Sequence, residues 1–267
     1  MTRWLTAGLL ASLLALVACS DSTNDGVGGS TATGGAGGIG GSGGGHGGTG
    51  TGGTGGQATG GGGGSTGGSG GGTPVTAEAL LALTAACNAL PGVTPFATDE
   101  GEPNTVSICS LQGALFWQAD LDIDCDGGQT QTCQNDPAYQ PDTSFPDSQG
   151  NPLDASALPF VVIPLPSNGF DYTQHQIDGG SVFAVIYNGQ LEYGIFGDQG
   201  PEGIIGEASY AMAVLLGIDP DPVTGGADSG ATYIVFEGPS GAVSANEDHA
   251  QAVAIGQARA AELLQNN

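Results

Sequence analysis

LEYGIFGDQGPEGIIGEASYAMAVLL, Leu191 to Leu216, is the stretch on which the reading of the chain turns. Leu191 to Phe196 is bulky and alternating, the pattern of a strand. The strand runs into Asp198, and the Gly200-Pro201 pair marks a turn. Glu207 then opens an apolar helical segment, Ala208 to Leu216. Two carboxylates therefore stand at the edges of regular elements, joined by a short glycine-bearing loop, where a scaffold can hold reactive groups rigidly. Local physics alone would also put an aspartate in a turn and a glutamate in the first turn of a helix.

Working outward, Ser181 to Tyr187, Asn188-Gly189 and Gln190 to Phe196 form a hairpin pattern with a two-residue turn, which delivers Asp198. Upstream, Leu158 to Ile163 is a compact apolar run bounded by prolines and reads as a buried strand. Downstream, Thr232 to Phe236 is another strand after a glycine-rich approach that contains Asp228.

Ala114 to Asp126 carries the second chemical signal. Leu115, Trp117, Ala119, Leu121, Ile123 and Cys125 alternate with Asp120, Asp122, Asp124 and Asp126 over its second half. A period of two puts the apolar set against the core and the aspartates in a row on the other face, about 7 Å apart. Like charges at that spacing repel, so the row should meet something cationic: ammonium groups, or calcium. Asp122-x-Asp124-x-Asp126-Gly127 matches the first half of an EF-hand loop, but the twelfth position is Cys133 rather than glutamate, and no flanking helix pair is apparent. The expectation is no metal and no cofactor.

Thr76 to Leu90 reads as a helix capped by Thr76 and stopped by Pro91-Gly92, and Thr105 to Ile108 as a short strand. Asn246 to Gln265 reads as a closing helix capped by Asn246. His175 and His249 read as hydrogen-bonded polar residues rather than ligands. Short strands with Gly/Pro punctuation and few helices argue a mainly β fold: a barrel core with peripheral helices and a C-terminal helix.

The chain divides into three by composition. In residues 1–19, Arg3 precedes an apolar run too short to span a membrane comfortably, and Leu16-Val17-Ala18-Cys19 has the form of a lipobox. A lipoprotein signal explains that cysteine, which would carry the lipid. Ser20 after it favours an outer-membrane or cell-surface address, with plain secretion as the alternative. Residues 20–73 are dominated by Gly, Ser and Thr and read as a disordered linker. Residues 74–267 hold the folded domain.

The sequence has 27 acids and two bases for a net charge of −25, and it contains no lysine. Beyond Cys19 the only base is Arg259. This charge argues against nucleic acid and suits a cationic partner. Of the remaining cysteines, Cys87, Cys109, Cys125 and Cys133, an exported domain would make two disulfides. Three pairings are open; Cys125 with Cys133 is the local choice, which would leave Cys87 with Cys109. The spacings do not suit zinc.

GDQGPEGIIGEASYA (Gly197 to Ala211), ALFWQADLDIDCDG (Ala114 to Gly127), LPFVVIP (Leu158 to Pro164) and GIDPDPVTGGADSGATYIVF (Gly217 to Phe236) together resemble the fungal-type chitosanases, glycoside hydrolase family 75. The resemblance implies endo-acting hydrolysis of chitosan with inversion, by a carboxylate pair that falls at Asp198 and Glu207. Glu207, beside Ile204, Ile205 and Ala208, is the better acid and Asp198 the better base, though a helix N-terminus at Glu207 would favour its anion. Asp120, Asp122, Asp124, Asp126 and Asp228 are candidates to grip sugar amines. The strand ending in GDQGP also resembles the acid-bearing strand of double-psi barrels, as in some cellulases and expansin-like proteins. Two other readings follow from that analogy: a barrel that binds polysaccharide without cutting it, and a peptidoglycan-cleaving enzyme. The expected partner is chitosan, with no nucleic acid, no membrane contact except through lipid on Cys19, and a monomeric domain.

Overall fold

The computed structural model describes residues 74–267; the lipobox at Cys19 and the 20–73 linker lie outside the described residues. The elements in order are α1 (Ala77–Leu83), β1 (Cys109–Leu111), β2 (Ala114–Asp124), α2 (Gln131–Gln134), β3 (Phe160–Pro164), β4 (Val182–Tyr187), β5 (Gln190–Gly200), β6 (Glu207–Ser209), α3 (Tyr210–Leu216), β7 (Ala227–Phe236) and α4 (His249–Asn266).

Six strands close on themselves in the order β2-β6-β3-β5-β4-β7 and back to β2, with β1 as a short extra strand beside the start of β2. The expected barrel is therefore present. β2 with β6 and β3 with β5 are parallel, and the other barrel ladders are antiparallel. The odd residues of β2 point inward as the alternation requires. Trp117 stacks on Tyr233 with ring centroids 5.6 Å apart and meets Phe183 edge-on. Leu115, Leu121, Val161, Phe196 and Val235 fill the same interior.

The outer face of the barrel is not simply wet. Ala114 and Phe116 of β2, Phe160 and Val162 of β3, and Ile234 and Phe236 of β7 pack in a second apolar layer with Ala77 and Leu80 of α1 and Ala252, Ala260 and Leu263 of α4. α1 and α4 supply the helical side of this layer. The aspartate row consequently differs from the expected solvent face. Asp120 and Asp124 are buried, Asp122 is exposed and Asp126 lies between.

The hairpin turn takes the expected form, with Asn188 at φ 47° and Gly189 at φ 80°. Positive φ at both central residues matches the turn to the twist of its strands, and the Asn-Gly pair tolerates it. Both disulfides form, Cys87–Cys109 and Cys125–Cys133.

Several boundaries move, β7 among them, which starts at Ala227. α1 keeps its Thr76 cap, which accepts from the Ala79 N–H, but ends at Leu83. There Thr84 turns its hydroxyl back to the Leu81 carbonyl, and the Cys87–Cys109 bond draws the chain across to β1. Thr105 to Ile108 makes only a single bridge, Val106 with Phe96, and the strand begins at Cys109. α4 is capped by Asp248, which accepts from the Gln251 N–H, while Asn246 donates to the Pro146 carbonyl instead.

Candidate active site

Asp198 is not at the end of its strand. β5 runs on to Gly200, and the register with β3 shifts once: Val161 faces Phe196, and Val162 faces Asp198. Gly197 is the extra residue of a β-bulge, a device that re-aims the side chain next to it. Glycine is required there, because a Cβ at Gly197 would stand 2.6 Å from Phe160 Cβ.

Glu207 departs from expectation more sharply. It belongs to the three-residue strand β6, and the helix begins only after Ser209, whose hydroxyl accepts from the Met212 N–H. The helix N-terminus that would have favoured its anion therefore lies beyond the strand, not at Glu207. β6 lies between β2 and β3, with Glu207 opposite Asp122 on one side and Val162 on the other.

These registers bring the two acids together. Val162 is the partner of both Asp198 and Glu207, so the carboxylates flank it on neighbouring strands. Residues in register across a sheet share a face. Asp122, Glu207, Val162 and Asp198 thus form a row over β2, β6, β3 and β5, on the outer side of the barrel where Val162 packs. Two interstrand spacings put the Cα atoms of the acid pair about 9–10 Å apart. A cavity of about 130 Å³ opens along this row, lined by Asp124, Asp126, Asp198, Glu207 and the Gln199-Gly200-Pro201 segment.

The acids differ in their surroundings. Asp198 is buried, and its Oδ1 accepts from the Ser144 N–H at 2.8 Å and the Gln199 N–H at 2.7 Å, which fixes its direction. Burial pushes the Glu207 carboxyl up to about 7, with help from the charges of Asp122, Asp126, Asp198 and Asp136. Burial likewise holds Asp124 well above the usual carboxylate range, followed by the charge of Glu207, although its Oδ1 accepts from the Asp126 N–H at 2.6 Å.

A second cavity of about 320 Å³ adjoins the first. Asp124, Asp126 and Glu207 line both, and Asp122, Asp136 and Asp221 continue the wall. On the other side of β2, Asp120 and Asp228 line a cavity of about 550 Å³ with Thr98, Gln118 and Thr232. Asp228 reaches it because β7 shifts register opposite Asp120, between Ala119 and Leu121. Burial, then Asp122, Asp99 and Asp228, pushes Asp120 up to about 7. Asp122, Asp124 and Asp126 thus line cavities that Glu207 also lines, whereas Asp120 and Asp228 line a separate one.

Three contributors have no sequence signature. Asp99 sits in an irregular loop, yet its carboxylate oxygen stands within 4.8 Å of those of Asp120 and Asp122. Asp136 and Asp221 enter from connections. Asp124, Asp126 and Asp198 converge just as closely. Both triads present all-oxygen surroundings to an incoming positive charge. The half-matched EF-hand loop is not one: its twelfth residue, Cys133, is joined to Cys125 within the loop, and α2 is a four-residue helix.

Residues 121–262 match the family model for fungal chitosanase of glycosyl hydrolase group 75. Among curated proteins, endo-chitosanase C of Aspergillus oryzae is 37% identical over 145 residues, covering 51% of this chain and 36% of that protein. Endo-chitosanase B of the same organism is 35% identical over 146 residues, covering 48% of this chain and 61% of that protein. An endo-chitosanase of Aspergillus fumigatus is 35% identical over 131 residues, covering 44% of this chain and 55% of that protein. The chain thus spans between about a third and three fifths of the length of these relatives. With the matched region running from the middle of the aspartate strand through both acids to the closing helix, the chain belongs to the group 75 glycosyl hydrolase family of fungal chitosanases.

Proposed function

We propose that the domain is an endo-acting glycoside hydrolase that cuts β-1,4 bonds in chitosan with inversion. The observation that carries this is the placement of Asp198 and Glu207 on either side of Val162, on one face and at one cavity. Inverting glycosidases hold their carboxyl groups about 6.5–9.5 Å apart, leaving room for water between base and sugar. Carboxyls that reach one cavity from Cα atoms two strands apart fit that range.

Glu207 is the acid, since its burial keeps it protonated near neutral pH, and it gives that proton to the leaving glycosidic oxygen. Asp198, held by two N–H donors, takes a proton from the water that attacks the anomeric carbon. The bond to the leaving sugar breaks as the bond to water forms, with no covalent enzyme intermediate. Asp122, Asp126 and Asp228 offer carboxylates to the ammonium groups of the polymer, and Asp120 lines the cavity of Asp228. The net charge of −25 adds long-range attraction for a polycation.

The test is the purified chain on chitosan, chitin and peptidoglycan, scored by reducing ends and product length. The expected result is rapid shortening of chitosan, with early products of inverted anomeric configuration by proton NMR. Retained configuration would overturn inversion. Binding of chitosan without cleavage would make the domain a binding module, and activity on peptidoglycan alone would make it a lytic enzyme of another kind.

The same proposal covers the ends of the chain outside the described residues. Lipid on Cys19 anchors an exported protein, and the glycine-rich stretch spaces the domain from the membrane, in keeping with two disulfides. Cys19→Ser should move the protein from the membrane fraction to the soluble fraction with its domain still folded. A wild type that never incorporates labelled palmitate would exclude the anchor.

A further inference from the structure

We propose that Asp124 is the positioning residue for the acid: it shares one proton with Glu207 and holds that proton at the cleft. The proposal rests on the reading of Glu207 as the acid.

The placement comes from the β2–β6 ladder. The strands run parallel, with Asp122 opposite Glu207 and Asp124 opposite Ser209. Asp122 and Asp124 therefore lie on the face of Glu207, one beside it and one a step further along. Their fates differ. Asp122 is exposed and water screens it, whereas Asp124 is 6% exposed. Asp124, Asp126, Asp198 and Glu207 all line the small cavity of about 130 Å³.

A buried carboxylate needs a compensating positive charge or a proton. Every titratable group facing Glu207 is an acid. Asp122 and Asp124 come from β2, Asp126 from the turn after it, Asp136 from beyond α2, Asp198 from β5, and Asp221 from the loop before β7. The bases among the described residues are spent elsewhere. Arg259 pairs with Glu262 and the Glu237 carbonyl, His175 with Glu237, and His249 with the Tyr193 carbonyl.

Protons are left as the compensators the fold itself allows. Two carboxyls that line one small cavity walled by other acids do not ionise together at neutral pH, so the pair keeps one proton. Asp124 accepts the Asp126 N–H, which favours the anion on Asp124 and the proton on Glu207. That is the partition an acid catalyst needs. Burial, the largest cause at both groups, raises the ionisation of each, which agrees with a proton kept between them.

The experiment follows the side-chain carboxyl carbon of Glu207 by ¹³C NMR through a pH titration of the full chain, assigned by its loss in Glu207→Gln. In Asp124→Asn the Glu207 midpoint should fall by one pH unit or more, because the neighbouring charge is gone. The basic limb of kcat/KM should move acidward with it, KM should stay within about twofold, and lowering the pH should restore most of kcat. Linkage demands the reciprocal effect, so Asp124 in Glu207→Gln should also titrate lower; this variant covers the case in which Asp124→Asn does not fold.

Unmoved midpoints overturn the proposal, as does a raised KM with an unmoved profile, which would make Asp124 a substrate contact. A loss of kcat equal at every pH would leave Asp124 only a structural role and overturns it too. Coupled midpoints in a protein that leaves chitosan intact would keep the dyad and discard the chitosanase reading. Cleavage with uncoupled midpoints would do the reverse.

Discussion

Asp198→Asn and Glu207→Gln should each lower kcat on chitosan by about 10²–10⁴-fold while the domain stays folded. Both changes preserve shape and remove only the ionisable group. The amide of Asp198→Asn would still offer an oxygen to the Ser144 and Gln199 N–H groups, so the direction of the side chain survives. Glu207→Gln removes an acid that burial already disfavours as an anion, so stability should hold. KM should change little, because Asp122, Asp126 and Asp228, the proposed contacts to the polymer, are untouched. The two losses can be told apart by chemistry. A substrate whose leaving group needs no protonation should rescue Glu207→Gln but not Asp198→Asn, since the water still lacks its base. The opposite pattern would exchange the roles. A Glu207→Gln enzyme near wild-type rate would remove Glu207 from the mechanism, with Asp228 the next acid to test.

Much of this arrangement is legible before any coordinates, and the limits have physical causes. The Asn188-Gly189 turn is local chemistry, so the hairpin that delivers Asp198 is readable from a few residues. The alternation in β2 fixes Trp117 inside and the aspartates outside. What alternation does not carry is the depth of each outward residue. Asp120 is covered where Gly206 packs close to its Oδ1, and Asp124 where the loop of Asp126 folds over. Glu207 is misplaced on a helix because β6 has three residues, too few to show a period, and its partners, Asp122 and Val162, lie far away in sequence. Gly197 gives no sign of its bulge, because what requires glycine there is the approach of Phe160, distant in sequence. Barrel closure, through β2 and β7, is a pairing of distant segments with no local mark.

The melting temperature should fall as pH rises from 5 to 8, the reverse of the usual acid sensitivity of proteins. Burial first, and neighbouring acids second, push Asp120 and Glu207 up to about 7 and Asp126 up to about 6, and raise Asp122 and Asp124 as well. In the unfolded chain these groups titrate near 4. Between about pH 4 and 7 the folded state therefore binds more protons, and stability present at low pH is lost as pH passes through the folded values. Asp147, Asp171, Asp221 and Glu247 shift downward through local hydrogen bonds. They are ionised in both states above about pH 5, so they do not tilt this window. With screening at the open side of the groove, the set should cost on the order of 1–3 kcal/mol, or about 5 °C in Tm for a domain of this size. Added salt should shrink the drop. Asp120→Asn should flatten it and raise Tm at pH 8, because this carboxylate is buried and its Oδ1 has no hydrogen-bond partner. The measurement is calorimetry across pH at two salt concentrations. A Tm that rises with pH would mean that the groove acids are compensated by something other than protons. A drop that Asp120→Asn leaves unchanged would place the strain at Asp124 and Glu207, the pair proposed to share a proton.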